Sequence, residues 1–295
     1  MSFFLFNLLN GLQLSMLLFL MAIGLTVIFG LMDILNLAHG AFYMVGAYFG
    51  YVLYQLTGSF WFALAFGPLL PMLLGFILQL FVLQPLIDRG RSAHLDMALL
   101  TFGILFFIIG LIDLIFFETF GLTFISIEKP DLLRGAIYVG TFYPAYRLLI
   151  IALGLIVGLL VWVLLDRTVI GAVVRAGVDD REMVRAMGID IYKVFALVFA
   201  LGCGLAGLAG VVAGAELSID VNMGVQILIP TLVVVILGGL GSVKGCFIGA
   251  LIVGMADTMT QAYLPALSMF TTYIFLAVML MVRPQGFFGR APKVL

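Results

Sequence analysis

Three hydrogen-bonding side chains fall within seven residues of an otherwise apolar run: Asp33, Asn36 and His39 in MDILNLAHG. Such groups are costly close to hydrocarbon unless they are satisfied, so a set like this marks a helix break, a polar pathway or both. Asn36 is a natural cap for a helix that begins near His39, and Asp33 suits the positive amino end of the same helix. The other reading has both residues touching a ligand. His39 is either an interfacial hydrogen-bond donor or a proton carrier or ligand. A second polar break, ELSIDVNMG, holds Glu216, Asp220 and Asn222. Asp113 and Asp257 stand in apolar runs, each either paired or facing a wet cavity. His94 lies in a different loop from His39, so the sequence supplies no metal set and no cofactor site. A nucleophile beside a base, or facing paired aspartates, is also wanting, which argues against an intramembrane enzyme.

Two glycine patterns resemble nucleotide-binding motifs and are rejected. Gly202-Cys203-Gly204-Leu205-Ala206-Gly207 fits GxGxxG, but it lies inside an apolar span instead of between a strand and a helix in a water-facing crevice. GGLGSVKG at 238–245 lacks the Gly-Lys-Ser/Thr ending of a phosphate-binding loop. By that route the chain hydrolyses no ATP.

The elements that must position these residues follow from composition. Of 295 residues, 64% are hydrophobic and 10% charged, where a soluble domain carries about 25% charge. The chain is therefore expected to be all-α, a polytopic transmembrane helix bundle forming a single domain over 1–295 in the lipid bilayer. The net charge of −1 says nothing about nucleic acid, but the sequence has no basic arm or tail, and no nucleic-acid partner is expected. Cys203 and Cys246 lie in apolar runs and read as small packing residues. The first apolar run, 3–31, has no basic leading region and exceeds the ~7–15 apolar residues of a signal peptide, so a retained helix is expected.

Crossing the hydrocarbon takes roughly 20 apolar residues. Nine spans are expected, within a range of eight to ten: 7–30, 40–57, 60–83, 96–117, 147–165, 194–217, 226–241, 246–263 and 266–283. Nine alternating spans put Arg89, Arg91, Arg167, Arg175, Arg181, Arg185, Lys193, Lys244, Arg283, Arg290 and Lys293 on one side. Only Lys129, Arg134 and Arg147 fall on the other. The positive-inside rule then places the amino terminus outside and the carboxyl terminus in the cytoplasm. Spans one to four and six to nine carry their polar breaks at matching places in opposite orientation, which predicts an inverted repeat. Small residues at four-residue spacing (Gly202, Ala206, Gly210, Gly214; Gly241, Gly245, Gly249; Gly46, Gly50) predict close helix crossings. The external segment 118–146 is either a small folded cap that receives a partner or a plain connector.

The cytoplasmic segment 166–193 reads DRTVIGAVVRAGVDDREMVRAMGIDIYK. Asp179 and Glu182 have capping-box spacing, Asp180 and Glu182 place charge where the helix dipole favours it, and Gly188 can end a helix in the left-handed conformation. A short surface helix over about 180–187 is expected. Val184 and Met187 share one face with Met183 near, and Arg181 and Arg185 share another.

Three stretches carry a resemblance: GLTVIFGLMDILNLAHGAFYMVGAY, RAGVDDREMVRAMGIDIYKVFALVFALGCGLAGLAGVV and LGGLGSVKGCFIGALIVG. They resemble the Liv-type permeases of ABC importers for branched-chain amino acids, a family of the bacterial inner membrane. The resemblance covers nearly the whole chain. It implies a permease subunit that works with a second homologous permease, two ATPase subunits that hydrolyse ATP, and an extracytoplasmic substrate-binding protein. It also implies that residues 179–188 (Asp179, Asp180, Arg181, Glu182, Met183, Val184, Arg185, Ala186, Met187 and Gly188) form the loop that meets the ATPase. Where the better-known pattern has Glu followed by two alanines, this chain has Glu182-Met183-Val184. Asp33, Asn36, His39, Asp220 and Asn222 are the pathway candidates. Permeases for urea or short-chain amides share the three motifs and are the rival within the class; a passive channel is the rival outside it.

Overall fold

The computed structural model describes residues 2–32, 35–88, 94–120, 125–283 and 286–288. Asp33, Arg89, Arg91, Arg290, Lys293 and the side chain of His94 lie outside the described residues. The described chain is almost wholly helical, with thirteen α-helices and one two-stranded sheet.

α1 spans Ser2–Met32 and α2 His39–Thr57. A jointed rod of α3 (Phe60–Phe66), α4 (Leu69–Leu78), a π-helical turn (Gln79–Leu83) and α5 (Gln84–Asp88) follows. Pro85 lacks the amide that would continue the α-helical ladder, which accounts for a wide turn just before it. Buried Gln79 and Gln84 bond each other at that turn, Nε2 to Oε1, 3.4 Å. α6 is His94–Phe120 and α7 Ala145–Arg167. Two short helices, α8 (Val169–Asp179) and α9 (Arg181–Ala186), lead into α10 (Ile191–Glu216). α11 (Met223–Gly238), α12 (Val243–Tyr263) and α13 (Ser268–Val282) complete the chain.

Seven of these segments are long and apolar enough to cross a membrane: 2–30, 60–87, 95–116, 145–167, 191–216, 243–263 and 265–282. The expected spans 40–57 and 226–241 fall short of that measure. α2 is rich in Gly and Tyr, and α11 has only 16 residues, about 24 Å of helix against a hydrocarbon core of about 30 Å.

The core is α1 and α10 crossed, with α2, α4, α11 and α12 packed around them. Apolar side chains gain nothing by leaving lipid for one another, so the crossings rely on close backbone approach. A methyl group built on Gly24 would stand 2.5 Å from Gly202 O, and one on Gly202 would stand 2.9 Å from Gly24 O. Gly46 meets Gly207, Gly210 meets Tyr43, Gly238 meets Gly245, and Gly254 meets Ser15. Most of the glycines named from spacing thus sit at crossings, but Gly214 meets Ile127 and Ile219 outside the helices, and α10 uses more than one face: Gly202 serves α1 while Gly210 serves α2. By contrast α6 and α13 are mostly exposed. An apolar hollow of about 530 Å³ separates α6 from α2 and α4, lined by Val45, Tyr48, Leu74, Ile104 and Ile108 among others.

The 23 residues of α7 separate two polar ends of the molecule, about 34 Å apart at 1.5 Å per residue. At one end are α8 and α9. At the other, the described part of the segment expected as cap or connector, from Ile125 to Pro144, is folded as a small cap. Its hairpin pairs β1 (Ala136–Tyr138) with β2 (Phe142–Pro144), turned at Gly140 with φ +76°. Ile125 bridges to Ile219, tying the cap to the stretch after α10.

Candidate functional site

The first candidate is the α8–α9 arm. The sequence reading located one short helix and missed α8, an amphipathic helix whose Val174 is buried and whose Val169 and Ile170 are exposed. Because α8 runs through Asp179, the capping residue of α9 is not Asp179 but Asp180. Asp180 has extended backbone (φ −152°, ψ 102°), and its carboxylate accepts the Met183 amide at 2.9 Å. The capping-box spacing from Asp179 to Glu182 is therefore one residue out of register. The other end is as expected. Gly188 has φ +83°; its amide donates to Arg185 O at 2.9 Å and the Ile189 amide to Val184 O at 3.4 Å. Those paired bonds are a Schellman stop, which needs a residue free to enter the left-handed region.

The faces of α9 also differ from expectation. Val184 is 4% exposed and joins the core, whereas Met183 and Met187 are 64% and 71% exposed. The arginines turn back onto α10. Arg181 lies 5.1 Å from the Phe195 ring centroid and Arg185 5.0 Å from that of Tyr192, whose hydroxyl accepts from Arg185 Nη1 at 3.1 Å. Asp190 caps α10 by accepting the Lys193 amide at 3.3 Å. The Lys193 side chain, 3.0 Å away, holds the Asp190 carboxyl below its ordinary pKa. A short helix is thus clamped to the first turns of α10, with Glu182, Met183 and Met187 left facing outward.

The second candidate is the pair of breaks. His39 Nε2 lies 3.0 Å from Met21 O, so that nitrogen carries the proton. Met21 precedes the end of α1 by eleven residues, so α2 begins about 16 Å short of the end of α1. The chain therefore folds back along α1 at this break. Asn36 does not cap α2 with its side chain: the N-cap is Ala38, and both Asn36 amide atoms are buried without a partner. Only its carbonyl serves the helix, accepting the His39 amide at 3.2 Å. Thr101 of α6 holds the turn, its hydroxyl 3.1 Å from Leu37 N and 3.3 Å from Leu35 O. In the second break, Asp220 accepts the Asn222 amide at 2.8 Å, while exposed Asn222 makes no side-chain cap for α11. The breaks meet through backbone: a methyl group on Gly224 would stand 2.6 Å from Gly40 O. Among the described residues, no hydrogen bond joins Asn36 or His39 to Asp220 or Asn222.

The sequence reading missed an ion cluster at the capped end. Glu216, the last residue of α10, has a side chain 7% exposed and accepts from Lys129 Nζ and Arg147 Nε, each at 2.7 Å. Arg147 also reaches Asn10 Oδ1 at 2.7 Å, and Lys129 lies over the Tyr146 ring. The signal lay in the charges: two of the three cations assigned to that side converge on this one carboxylate.

The model for the branched-chain amino acid transport system permease component matches residues 7–283. The chain belongs to that permease family. It is 28% identical to the high-affinity branched-chain amino acid transport system permease protein LivH of Escherichia coli, with 99% of this chain and 97% of the relative covered. It is 26% identical to BraD, named as the same kind of permease in Pseudomonas aeruginosa, over 98% of this chain and 96% of the relative. It is 30% identical to a probable LivH of Methanocaldococcus jannaschii over 85% of this chain and 79% of the relative. No solved structure matches. In this permease the candidate residues are an arm at one end and paired helix breaks inside the bundle.

Proposed function

We propose that this permease is the membrane subunit of an ABC importer that moves branched-chain amino acids across the bacterial inner membrane. The observation that carries the coupling half of this reading is α9: a helix stopped at both ends, braced on α10, with Met183 and Met187 bare. Exposed apolar side chains on a rigid projecting element suit a groove on a partner. The partner here is an ATPase, in a complex of two permeases, two ATPase subunits and an extracytoplasmic binding protein. Nucleotide-driven closure of the ATPases would shift the permease between outward-open and inward-open populations, to the extent that nucleotide binds those states differently.

In this reading α2 and α11 complete nine crossings, with the amino terminus outside and the carboxyl terminus inside. An inverted repeat is supported by several correspondences. Six residues separate α1 from α2 and six separate α10 from α11. The second residues of α2 and α11, Gly40 and Gly224, touch each other. Exchanging α1 with α10, α2 with α11, and the α3–α5 rod with α12 maps the principal contacts onto one another. The pathway then passes the meeting point of the two half-helices, beside Asn36, His39, Asp220 and Asn222; Asp33 belongs to the same break. The exposed Tyr138 and Phe142 of the cap face the binding protein.

The test is reconstitution with the partner subunits and binding protein in vesicles. ATP-dependent uptake of radiolabelled leucine, competed by valine and not by urea or acetamide, is the expected result. Competition by urea would move the assignment to an amide permease, and uptake without ATP would move it to a channel.

A further inference from the structure

At the arm end of the molecule lies a cleft of about 480 Å³, within the size range of small-molecule sites. Its walls are the last turns of α1 and α7, the inner face of α8, and residues 240–244, which turn into the start of α12. Charges of both signs line it. Arg175 is engaged with Leu165 O and stands 4.0 Å from Asp166. Asp179 and Lys244 form no ion pair among the described residues. Trp162 contributes its ring to the wall, while its indole N–H is buried away from solvent and has no hydrogen-bond partner among the described residues. The remaining wall is aliphatic, formed by Val27, Leu165, Val174, Val178 and Leu240.

We infer that this cleft binds a free aliphatic amino acid on the cytoplasmic side, with the carboxylate on Lys244, the ammonium on Asp179 and Asp166, and the branched side chain against the aliphatic wall beside the Trp162 ring. The inference rests on the proposed function for its orientation and for the identity of the amino acid. Its consequence is mechanical. The cleft is walled on one side by α8, which carries α9, and on the other by α1 and residues 240–244. An occupant joins arm and bundle, and so favours whichever arm position closes the cleft. Imported product would thereby slow further import.

The test uses the full chain in detergent. The sequence has two tryptophans, so Trp61→Phe leaves Trp162 as the one reporter. L-leucine should shift Trp162 emission saturably, glutamate and lysine should not, and Lys244→Ala should weaken the response at least tenfold. Lys244 is exposed, so this variant should fold. In vesicles with the partner subunits, leucine preloaded on the arm side should slow uptake in the wild type and not in Lys244→Ala, with equal initial rates when no leucine is preloaded. The inference is overturned by an emission that ignores leucine, by a response that Lys244→Ala leaves unchanged, or by a response to glycerophosphoethanolamine in place of leucine, which would make the occupant a lipid headgroup. Absence of uptake in every preparation would instead refute the proposed function, since the fluorescence titration needs no transport.

Discussion

The same substitution should have opposite effects at two glycines of this chain. At Gly224 a new methyl carbon would stand 2.6 Å from Gly40 O and 3.0 Å from Gly40 C, about 0.8 Å inside the 3.4 Å at which contact becomes ordinary. Both atoms are backbone, so neither can swing aside, and α2 and α11 must separate. Overpacking of this kind costs about 1–3 kcal/mol, and the gain in helix propensity, about 1 kcal/mol in a helix interior, is smaller still in the first turn. Gly224→Ala should therefore be destabilising by about 1–2 kcal/mol, a fall of about 2–8 °C in thermal midpoint for a chain of this size. At Gly103, inside α6, nothing lies within 4 Å of the added carbon. Gly103→Ala should stabilise by about 0.5–1 kcal/mol through helix propensity alone. Thermal unfolding of each purified variant in detergent gives the sign. ATP-driven uptake should fall in Gly224→Ala and hold in Gly103→Ala. Equal shifts at the two sites, or a Gly224→Ala protein that is as stable and as active as the wild type, would refute the claim that the half-helices meet through bare backbone.

Replacing Met187, or Met183, by Asp should separate ATP hydrolysis from uptake while leaving the thermal midpoint unchanged, because both side chains are exposed; full coupling would sink the docking role. Asp180→Ala should cost about 1 kcal/mol through loss of the cap, whereas Asp179→Ala should cost little, and amide exchange at Met183 would show the difference. Glu216→Ala leaves Lys129 and Arg147 facing each other, and should cost about 1–2 kcal/mol, less than a fully buried pair because the two cations are 34% and 30% exposed; a thermal midpoint within error of the wild type would count against it. The depressed Asp190 pKa means that its bond to Lys193 contributes stability above the ordinary carboxylate pKa and loses it as pH falls through the lowered value. Exchange of the first α10 amides should then quicken on acidification in the wild type and not in Asp190→Ala.

What the sequence made legible was whatever depends on local spacing. Gly188 ends α9 because a left-handed residue must follow a helix stopped in this way, and glycine is the residue that reaches that region freely. Glycines four apart were readable as close-packed positions, but spacing did not tell which neighbour each meets: Gly202 and Gly210 of one stripe meet different helices. The cap of α9 was misplaced because Asp179 and Asp180 are both good acceptors, and the choice depends on where the preceding helix stops. α8 was hidden by the charges around it, although Val169, Ile170, Val173, Val174 and Val178 carry a helical period. Asn36 looked like a cap by type, yet it stands two residues before the N-cap position, which the chain gives to Ala38. The Glu216 cluster joins residues 87 and 69 positions apart, a distance that no window of spacing spans.

The unequal packing of the bundle bears on how a push at the arm would travel. α6 and α13 are largely exposed, and a force applied to them would be lost in side-chain rearrangement. α10 is different. Its first turns hold Arg181 and Arg185 of the arm through Phe195 and Tyr192. Its middle crosses α1 at Gly202 and α2 at Gly207 and Gly210, where backbone meets backbone. Its last residue, Glu216, is pinned by two cations immediately before the second break. A rod of 26 residues, about 39 Å long, thus begins beside the helix proposed to meet the ATPase and ends at the polar break, and its crossings with α1 and α2 bring backbone close to backbone. Displacing α9 without displacing α10 would break two cation–π contacts and uncover Val184, so the two are expected to move together, and the meeting point of Gly40 and Gly224 lies beside that path.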